Sequence, residues 1–407
     1  MKRALIFNRL FRGVMSLAVF FPVFAETSSA ATVNLVTNPS LETASGKLPV
    51  GWLQDKWGTL SATFTYPVAG HTGAKAAKVT VSSYRSGDAK WYFKNVPVTA
   101  GNYYSFSDWS NATVGTEVVA QFHQSDGSDR YLGLGTVTGT NAWKQFSTSF
   151  VVPSGTVSAT VFHLIAAKGA LTVDDYSLID NGPAPKFAEG MVTFAFDDGY
   201  ESTYANGLPI LDKAGIKSTQ AIITTGTYDD PEYVTAAQVK AMAANGHEIA
   251  SHTRTHPDLV TLTAAKAKTE ITGSKSDLST FGITTVSFMY PFGSYNDSII
   301  SLVKGAGYKG ARTVDEGYNT PLSDPYRILS QNVNNDVPFS TIKGWLDTAV
   351  TDKTWIVLTL HRQEKLSDIP DNLYANDPAI LQQIVDYVKS KSMKTVTFGQ
   401  GVAMLKQ

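Results

Sequence analysis

The chain of 407 residues has no cysteine. That excludes a disulfide framework, a thiolate metal site and a lipid-modified cysteine anchor, and leaves His, Asp and Glu to supply any metal ligands. An excess of either charge is also missing: 34 Lys and Arg stand against 35 Asp and Glu, a formal net charge of −1. Nucleic acid, whose binding needs clustered cations, is therefore not an expected partner. With 43% hydrophobic and 17% charged residues, a disordered chain is excluded as well. Long apolar runs are absent except near the start. There Lys2, Arg3, Arg9 and Arg12 precede the apolar run 13–25 and then the small residues ETSSAAT. This layout predicts a secretory signal peptide over 1–31, cleaved after Ala25 or after Ala30 or Ala31. Such a run is too short for a bilayer core of ~30 Å. The expected mature protein has no stable membrane span and is secreted, to the extracellular space or the cell envelope.

What is present divides into two regions. From 32 to about 180, Thr, Val, Ser, Tyr and Trp fill alternating runs such as AKVTVSSY, YYSFSDW and KQFSTSFVV, with Gly, Asn and Pro between them. Short alternating segments bounded by turn residues predict an all-β antiparallel sandwich. The Pro/Gly stretch NGPAPK at 181–186 reads as a linker. From 187 to 407 strand patterns (MVTFAFDD, KSTQAIITT, HEIASH, VSFMYPFG, TWIVLTLHR) alternate with helical ones (YESTYANGLPILDKAG, TAAQVKAMAANG, NDSIISLVKGAG). Thr235 is the expected N-cap of one helix, and Asp377 followed by Pro378 opens another. The alternation predicts a parallel α/β domain of the barrel type.

The polar residues of this second region collect at strand ends. Asp197 and Asp198 end the first strand, His252 ends HEIASH, Tyr290, Pro291 and Gly293 close VSFMYPFG, and His361 ends TWIVLTLH. The C-terminal rim of parallel strands is where α/β barrels build active sites. A turn alone explains Asp-Gly, but it does not explain repeated His at the same rim. In SHTRTH, His252 and His256 are four apart, which on a helical turn puts both on one side. With a carboxylate such as Asp198 they would make a two-His, one-carboxylate metal set with open positions.

These stretches resemble the polysaccharide deacetylase family (carbohydrate esterase family four, NodB homology) over 187–407: FAFDDG its first motif, SHTRTH its second, and the strand ending in His361 its last. The resemblance implies a distorted β/α barrel with Asp197 as general base, His361 as general acid, and Asp198, His252 and His256 as ligands of zinc or another divalent transition metal. It implies substrate contacts at Tyr290, Pro291, Phe292 (through its backbone N–H) and Thr359. Three departures stand out. Met289 replaces the arginine that opens the family's third motif and braces the base, which leaves Arg254, Arg312 and Arg327 as candidate braces. The fourth motif, an Asp near a Trp, is not recognisable in ARTVDEGYNTP. Thr359 stands where the family has a leucine lining the acetyl-methyl pocket.

NLVTNPSLE, PVGW and VDDYSL in the first region resemble carbohydrate-binding jelly-roll modules. Trp52, Trp57, Trp91, Trp109 and Trp143 are candidates for a sugar-stacking platform or for core. Glu42, with Asp174 or Asp175, could hold a structural calcium. The whole reads as a metal-dependent N-deacetylase acting on an acetylated extracellular polysaccharide of poly-N-acetylglucosamine, chitin-like or peptidoglycan type. The alternatives are an O-acetyl esterase on a xylan-type polymer and a catalytically silent glycan-binding protein.

Overall fold

The structure is a computed structural model that describes residues 33–225, 230–365, 367 and 373–406; the expected signal peptide over 1–31 lies outside the described residues. Period-two burial shapes the first region. In the strands Asn102–Ala112 and Thr116–Gln124 nearly every second residue is buried, as a strand with one covered face requires. Five strands pair antiparallel in the order 143–151, 102–112, 169–183, 76–84, 60–68; a six-stranded antiparallel sheet runs 129–137, 116–124, 156–165, 88–93, 52–57, with 96–97 paired to 156–165. One apolar cluster draws on both sheets, Trp52, Trp91 and Phe93 from the second and Val79, Tyr104, Phe106 and Tyr176 from the first. Strand Gly169–Pro183 runs through Asn181, Gly182 and Pro183, so half of the expected linker is ladder.

The second region closes into a ring. Parallel strands follow in the order Thr219–Ile222, Glu248–Ser251, Ser287–Met289, Gly310–Glu316, Ile328–Asn332, Trp355–Leu360 and Met191–Phe196, and the last pairs with the first. Every residue of Met191–Phe196 and Trp355–Leu360 is buried, because ring interior and outer helices cover both faces. Thr235 caps Ala236–Ala244 through a capping box with Gln238, and Asp377 caps Pro378–Ser390 by accepting from the Ala379 N–H. No helix lies between Gly310–Glu316 and Ile328–Asn332. There the two-sheeted region supplies the cover, and Arg327 Nη1 donates to the Leu134 carbonyl at 2.7 Å. Among the described residues no helix is long and apolar enough to cross a membrane.

Candidate active site

The first barrel strand ends abruptly. The Asp197 N–H still donates to the Leu360 carbonyl at 2.9 Å, but Asp198 and Gly199 adopt φ of +71° and +78°. Two successive left-handed residues reverse the chain, which is easy for Gly and tolerable for Asp. The reversal separates the two carboxylates: Asp197 stays buried inside the ring, and Asp198 faces the second histidine-bearing loop.

His252 and His256 meet, but not on a helix. Thr253 and His256 have φ of +67° and +58°, so the helical-turn reading of SHTRTH is corrected to a tight loop. Glu270, on the helix Ala264–Thr280, holds that loop by accepting from the N–H groups of Arg254 and Thr255 at 2.9 Å each. The carboxylate thus satisfies donors that a helix would have paired internally. His252 Nδ1 donates to the Met289 carbonyl at 2.9 Å, which leaves its Nε2 lone pair facing His256 and Asp198. The three ligand atoms form a nearly equilateral triangle: Asp198 Oδ1 lies 3.4 Å from each Nε2, and the two Nε2 atoms are 3.2 Å apart. Ligands about 2.0–2.2 Å from a tetrahedral ion stand roughly 3.3–3.6 Å apart, so the donor set fits a zinc-sized ion. It is the one group of three or more such side chains so arranged among the described residues.

Electrostatics favour that use at Asp198 and His256, whereas His252 would have to give up a proton to an ion. Burial alone would raise the Asp198 carboxyl, but His252, with His361 and His256 beyond it, holds it well below the usual carboxylate range. Burial and the His252 charge push His256 down to about 4, so its ring is neutral at pH 7. Burial works against a charged His252, yet Asp197 and Asp198 outweigh it and raise the ring.

Asp197 lies outside the triangle. Its Oδ2 is 3.9 Å from His252 Nε2 and 4.0 Å from His361 Nε2, and accepts a short hydrogen bond from Arg312 Nη2. Arg312 is fully buried. Its Nη1 donates to Thr359 Oγ1 at 2.8 Å and its Nε to Met289 Sδ at 3.2 Å. Met289 and Arg312 are paired in register on neighbouring strands, so the brace missing from the third motif arrives from the next strand. The other candidates are engaged elsewhere, Arg254 with Asp277 and Arg327 with Asp297. A signal for Arg312 was present in the sequence: a lone arginine inside the apolar run GARTV must be paired if that run is buried.

His361 follows the strand Trp355–Leu360, its carbonyl held by Thr203 Oγ1 at 2.8 Å. Burial lowers its ring below the ordinary value despite Asp197 and Asp198. Its Nδ1 has no hydrogen-bond partner among the described residues, which agrees with the unrecognised fourth motif. Two expected substrate contacts are reassigned. The Tyr290 side chain is buried, with its hydroxyl on the Tyr326 carbonyl at 3.1 Å, and Thr359 spends its hydroxyl on Arg312 rather than on an acetyl pocket. Pro291 is buried, whereas Phe292 is 63% exposed, at φ +58°, and its ring packs 4.6 Å from that of His256. The sequence reading missed Glu270 and the pair Tyr200 and Tyr233. With Asp198 and His256 these tyrosines line a cleft of about 460 Å³. Burial, then the nearby Asp198 carboxylate, pushes both phenols up.

In the two-sheeted region Trp52 and Trp91 are core. Trp57 is exposed and donates to Asp88, while Trp109 stacks on His71 at 3.9 Å with Trp143 edge-on at 5.4 Å.

Residues 184–311 match the family model for polysaccharide deacetylase. A Bacillus subtilis (strain 168) protein named provisionally as polysaccharide deacetylase YxkH is 33% identical over 164 residues, 40% of this chain and 58% of that protein. The poly-beta-1,6-N-acetyl-D-glucosamine N-deacetylase of Staphylococcus aureus (strain MSSA476) is 28% identical over 39% of this chain and 60% of its own length. The chain thus spans under two thirds of these relatives. The solved chitin deacetylase of Colletotrichum lindemuthianum is 18% identical, with a TM-score of 0.40 over 55% of this chain and 91% of that one. The matched segment 184–311 holds Asp197, Asp198, His252 and His256, while Arg312 and His361 lie beyond it, and over that segment the chain is similar to the polysaccharide deacetylase family.

Proposed function

We propose that this is a secreted, metal-dependent polysaccharide N-deacetylase. The observation that carries the reading is the division of labour between adjacent carboxylates: Asp198 completes a ligand triangle with His252 and His256, while Asp197, outside it, is held by Arg312. Asp198, His252 and His256 would hold zinc or another divalent transition metal. When bound, such an ion supplies Lewis-acid polarisation of the acyl oxygen and lowers the pKa of water. The remaining chemistry belongs to the chain. Asp197 takes the proton of the attacking water, and Arg312 holds that carboxylate in place. The Phe292 N–H offers a donor to the oxygen on which charge develops. His361, across the site from the ligands, protonates the departing amine, without which the C–N bond does not break.

The catalytically silent reading drew its support from the missing third-motif arginine and the unrecognised fourth motif; Arg312 answers the first, and the unpartnered His361 Nδ1 leaves the second standing. The O-acetyl esterase reading uses the same groups, and no residue of this site favours it. The two-sheeted region is read as a carbohydrate-binding β-sandwich, with Trp57 among its exposed aromatics, and export is read from the N-terminal run. Acetate release from a panel of N- and O-acetylated glycans, beginning with β-1,6- and β-1,4-linked N-acetylglucosamine oligomers, tests the assignment together with metal analysis of the same preparation. Release from N-acetyl glycans that stops on chelation is the expected result. Release from O-acetyl xylan alone, or full turnover without metal, overturns it.

A further inference from the structure

Beside the ligand triangle stands an ordered aromatic stack that no step of the chemistry uses. The Arg362 guanidinium lies 4.8 Å from the centre of the Tyr200 ring, and Tyr200 stacks on Tyr233 at 5.2 Å with 20° between the planes. The backbone fixes the pair: Tyr200 and Tyr233 form an antiparallel bridge, the Glu201 N–H donates to the Glu232 carbonyl at 2.9 Å, and the Val234 N–H to the Gly199 carbonyl at 2.9 Å. Arg362 ties the assembly together, donating Nη1 to Glu232 and Nε to Glu364 at 2.8 Å. Since Tyr200 directly follows the Asp198–Gly199 reversal and Arg362 directly follows His361, the stack is rigidly joined to both ends of the site.

Within the stack Tyr200 is engaged by both Arg362 and Tyr233. Tyr233 has one face against Tyr200, is half-buried, and lines the same cleft as Asp198 and His256. An aromatic face is electron-rich and attracts the slightly positive C–H edges of a saturated ring, while the phenol hydroxyl serves as a polar handle. A pyranose with equatorial substituents presents such a C–H face and is ringed by hydroxyls. Thr255 and Thr225, on the same cleft wall, donate their hydroxyl protons to Glu270 and Asp277 and leave oxygen lone pairs that can accept. The geometry points to Tyr233 as a specificity-determining residue: a platform that stacks one pyranose ring of a gluco-configured 2-acetamido glycan so that its acetamido group, or its neighbour's, reaches the ligand triangle. This deepens the deacetylase reading and rests on it for the substrate class.

The test compares Tyr233→Leu, which keeps bulk against Tyr200 but removes the π face, with Tyr233→Trp, which restores one. Kinetics on N-acetylglucosamine tetramers are measured alongside calorimetric titration of the same tetramers into the zinc-loaded Asp197→Asn background. An aromatic contact worth about 0.5–1.5 kcal/mol corresponds to a change of roughly two- to twelvefold. The leucine variant should show that rise in KM and Kd with kcat little changed, and the tryptophan variant should recover wild-type values. Unchanged KM and Kd in the leucine variant, or a fall in kcat that tryptophan does not rescue, overturns the platform. Binding that depends on Tyr233 without acetate release by the wild type would keep the platform and sink the deacetylase reading; acetate release indifferent to Tyr233 would do the reverse.

Discussion

The two regions each bury a histidine against a carboxylate, and they do so to opposite ends. In the two-sheeted region His163 Nδ1 meets Asp108 Oδ2 of the facing sheet at 2.6 Å and its Nε2 meets Thr116 Oγ1 of its own sheet at 2.6 Å, with His163 and Asp108 wholly inaccessible. In the barrel, His252 and His256 meet Asp198 at 3.4 Å, and Asp198 and His256 border an open cleft. The sealed cluster sits on regular ladder, with no positive φ at any member. At the open cluster Asp198, Thr253, His256 and Phe292 all adopt left-handed φ. Such residues persist where the surroundings over-determine them, and they gather at functional sites. Short distance and low exposure alone therefore do not mark chemistry; convergence on a cleft, with backbone bent to achieve it, does.

The sharpest way to break this comparison is to remove one ligand. Asp198→Asn and His252→Ala should both abolish acetate release and fall from about one divalent ion per chain to none, read by elemental analysis. Retention of the ion in either variant would show that the triangle is not the metal site. Asp197→Asn should differ: metal retained, fold retained, and a rate loss of roughly 10²–10⁴-fold for the missing base. A shared phenotype for the two Asn variants would end the division of labour.

Arg312 comes next. Arg312→Met takes from the buried Asp197 carboxylate its hydrogen-bonded cation, a change that typically costs about 3–5 kcal/mol when a buried pair loses one partner. The expected outcome is a lower Tm together with slow turnover at normal metal content. Arg312→Met in the Asp197→Asn background should recover much of the stability but none of the rate, since no charge is then left unpaired. A variant with full activity would return the brace to the unassigned state in which the third motif left it.

The sealed cluster supplies the converse. His163→Leu strands Asp108 in the core and should lower stability by a similar amount, about 3–5 kcal/mol, while kcat/KM on short soluble glycans and metal content stay at wild-type values. Loss of activity at temperatures where the variant is folded would mean that the two regions are coupled more closely than the barrel chemistry requires.

How far these differences were legible follows from their range along the chain. Asp197, Asp198, His252 and His361 end predicted strands, and strand ends can be read from local alternation, so these four and the parallel alternation around them were legible, with His256 added by its spacing from His252. Arg312 lies 115 residues from the carboxylate it braces; their strands are not paired, and only the closure of the ring brings the two side chains together, which neither segment records. The left-handed loop between His252 and His256 depends on Glu270 from a later helix, which local spacing cannot show. Alternation in the first region says that a strand has two faces but not which one meets the other sheet. Trp52 and Trp91 as core and Trp57 as surface were therefore open until the pairing was known.

The smallest expected effect asks whether the two-sheeted region is only sealed or also holds an ion. Glu42 Oε1 accepts from the N–H groups of Ala74 and Lys75 at 2.8 and 2.7 Å, and Asp174 accepts from those of His71 and Asp175 at 2.8 Å each. Both carboxylates thus serve one turn. Burial pushes the Asp174 carboxyl up to about 6, against the pull of its N–H donors. An acid whose folded pKa lies above its unfolded value of about 3.9 contributes stability that is full below that value and lost as pH rises through about 6, at ~1.36 kcal/mol per unit of difference. With chelator present, Asp174→Asn should therefore gain on the wild type in Tm as pH rises from about 4 to about 7. A calcium ion on Asp174 and Glu42 would reverse the slope by holding the carboxylate ionised: millimolar calcium should raise the wild-type Tm near pH 7 and leave the Asn variant unmoved. If calcium shifts neither protein, the calcium reading fails. Asp174 is then a buried acid whose charge at neutral pH is a small cost that the rest of the core carries.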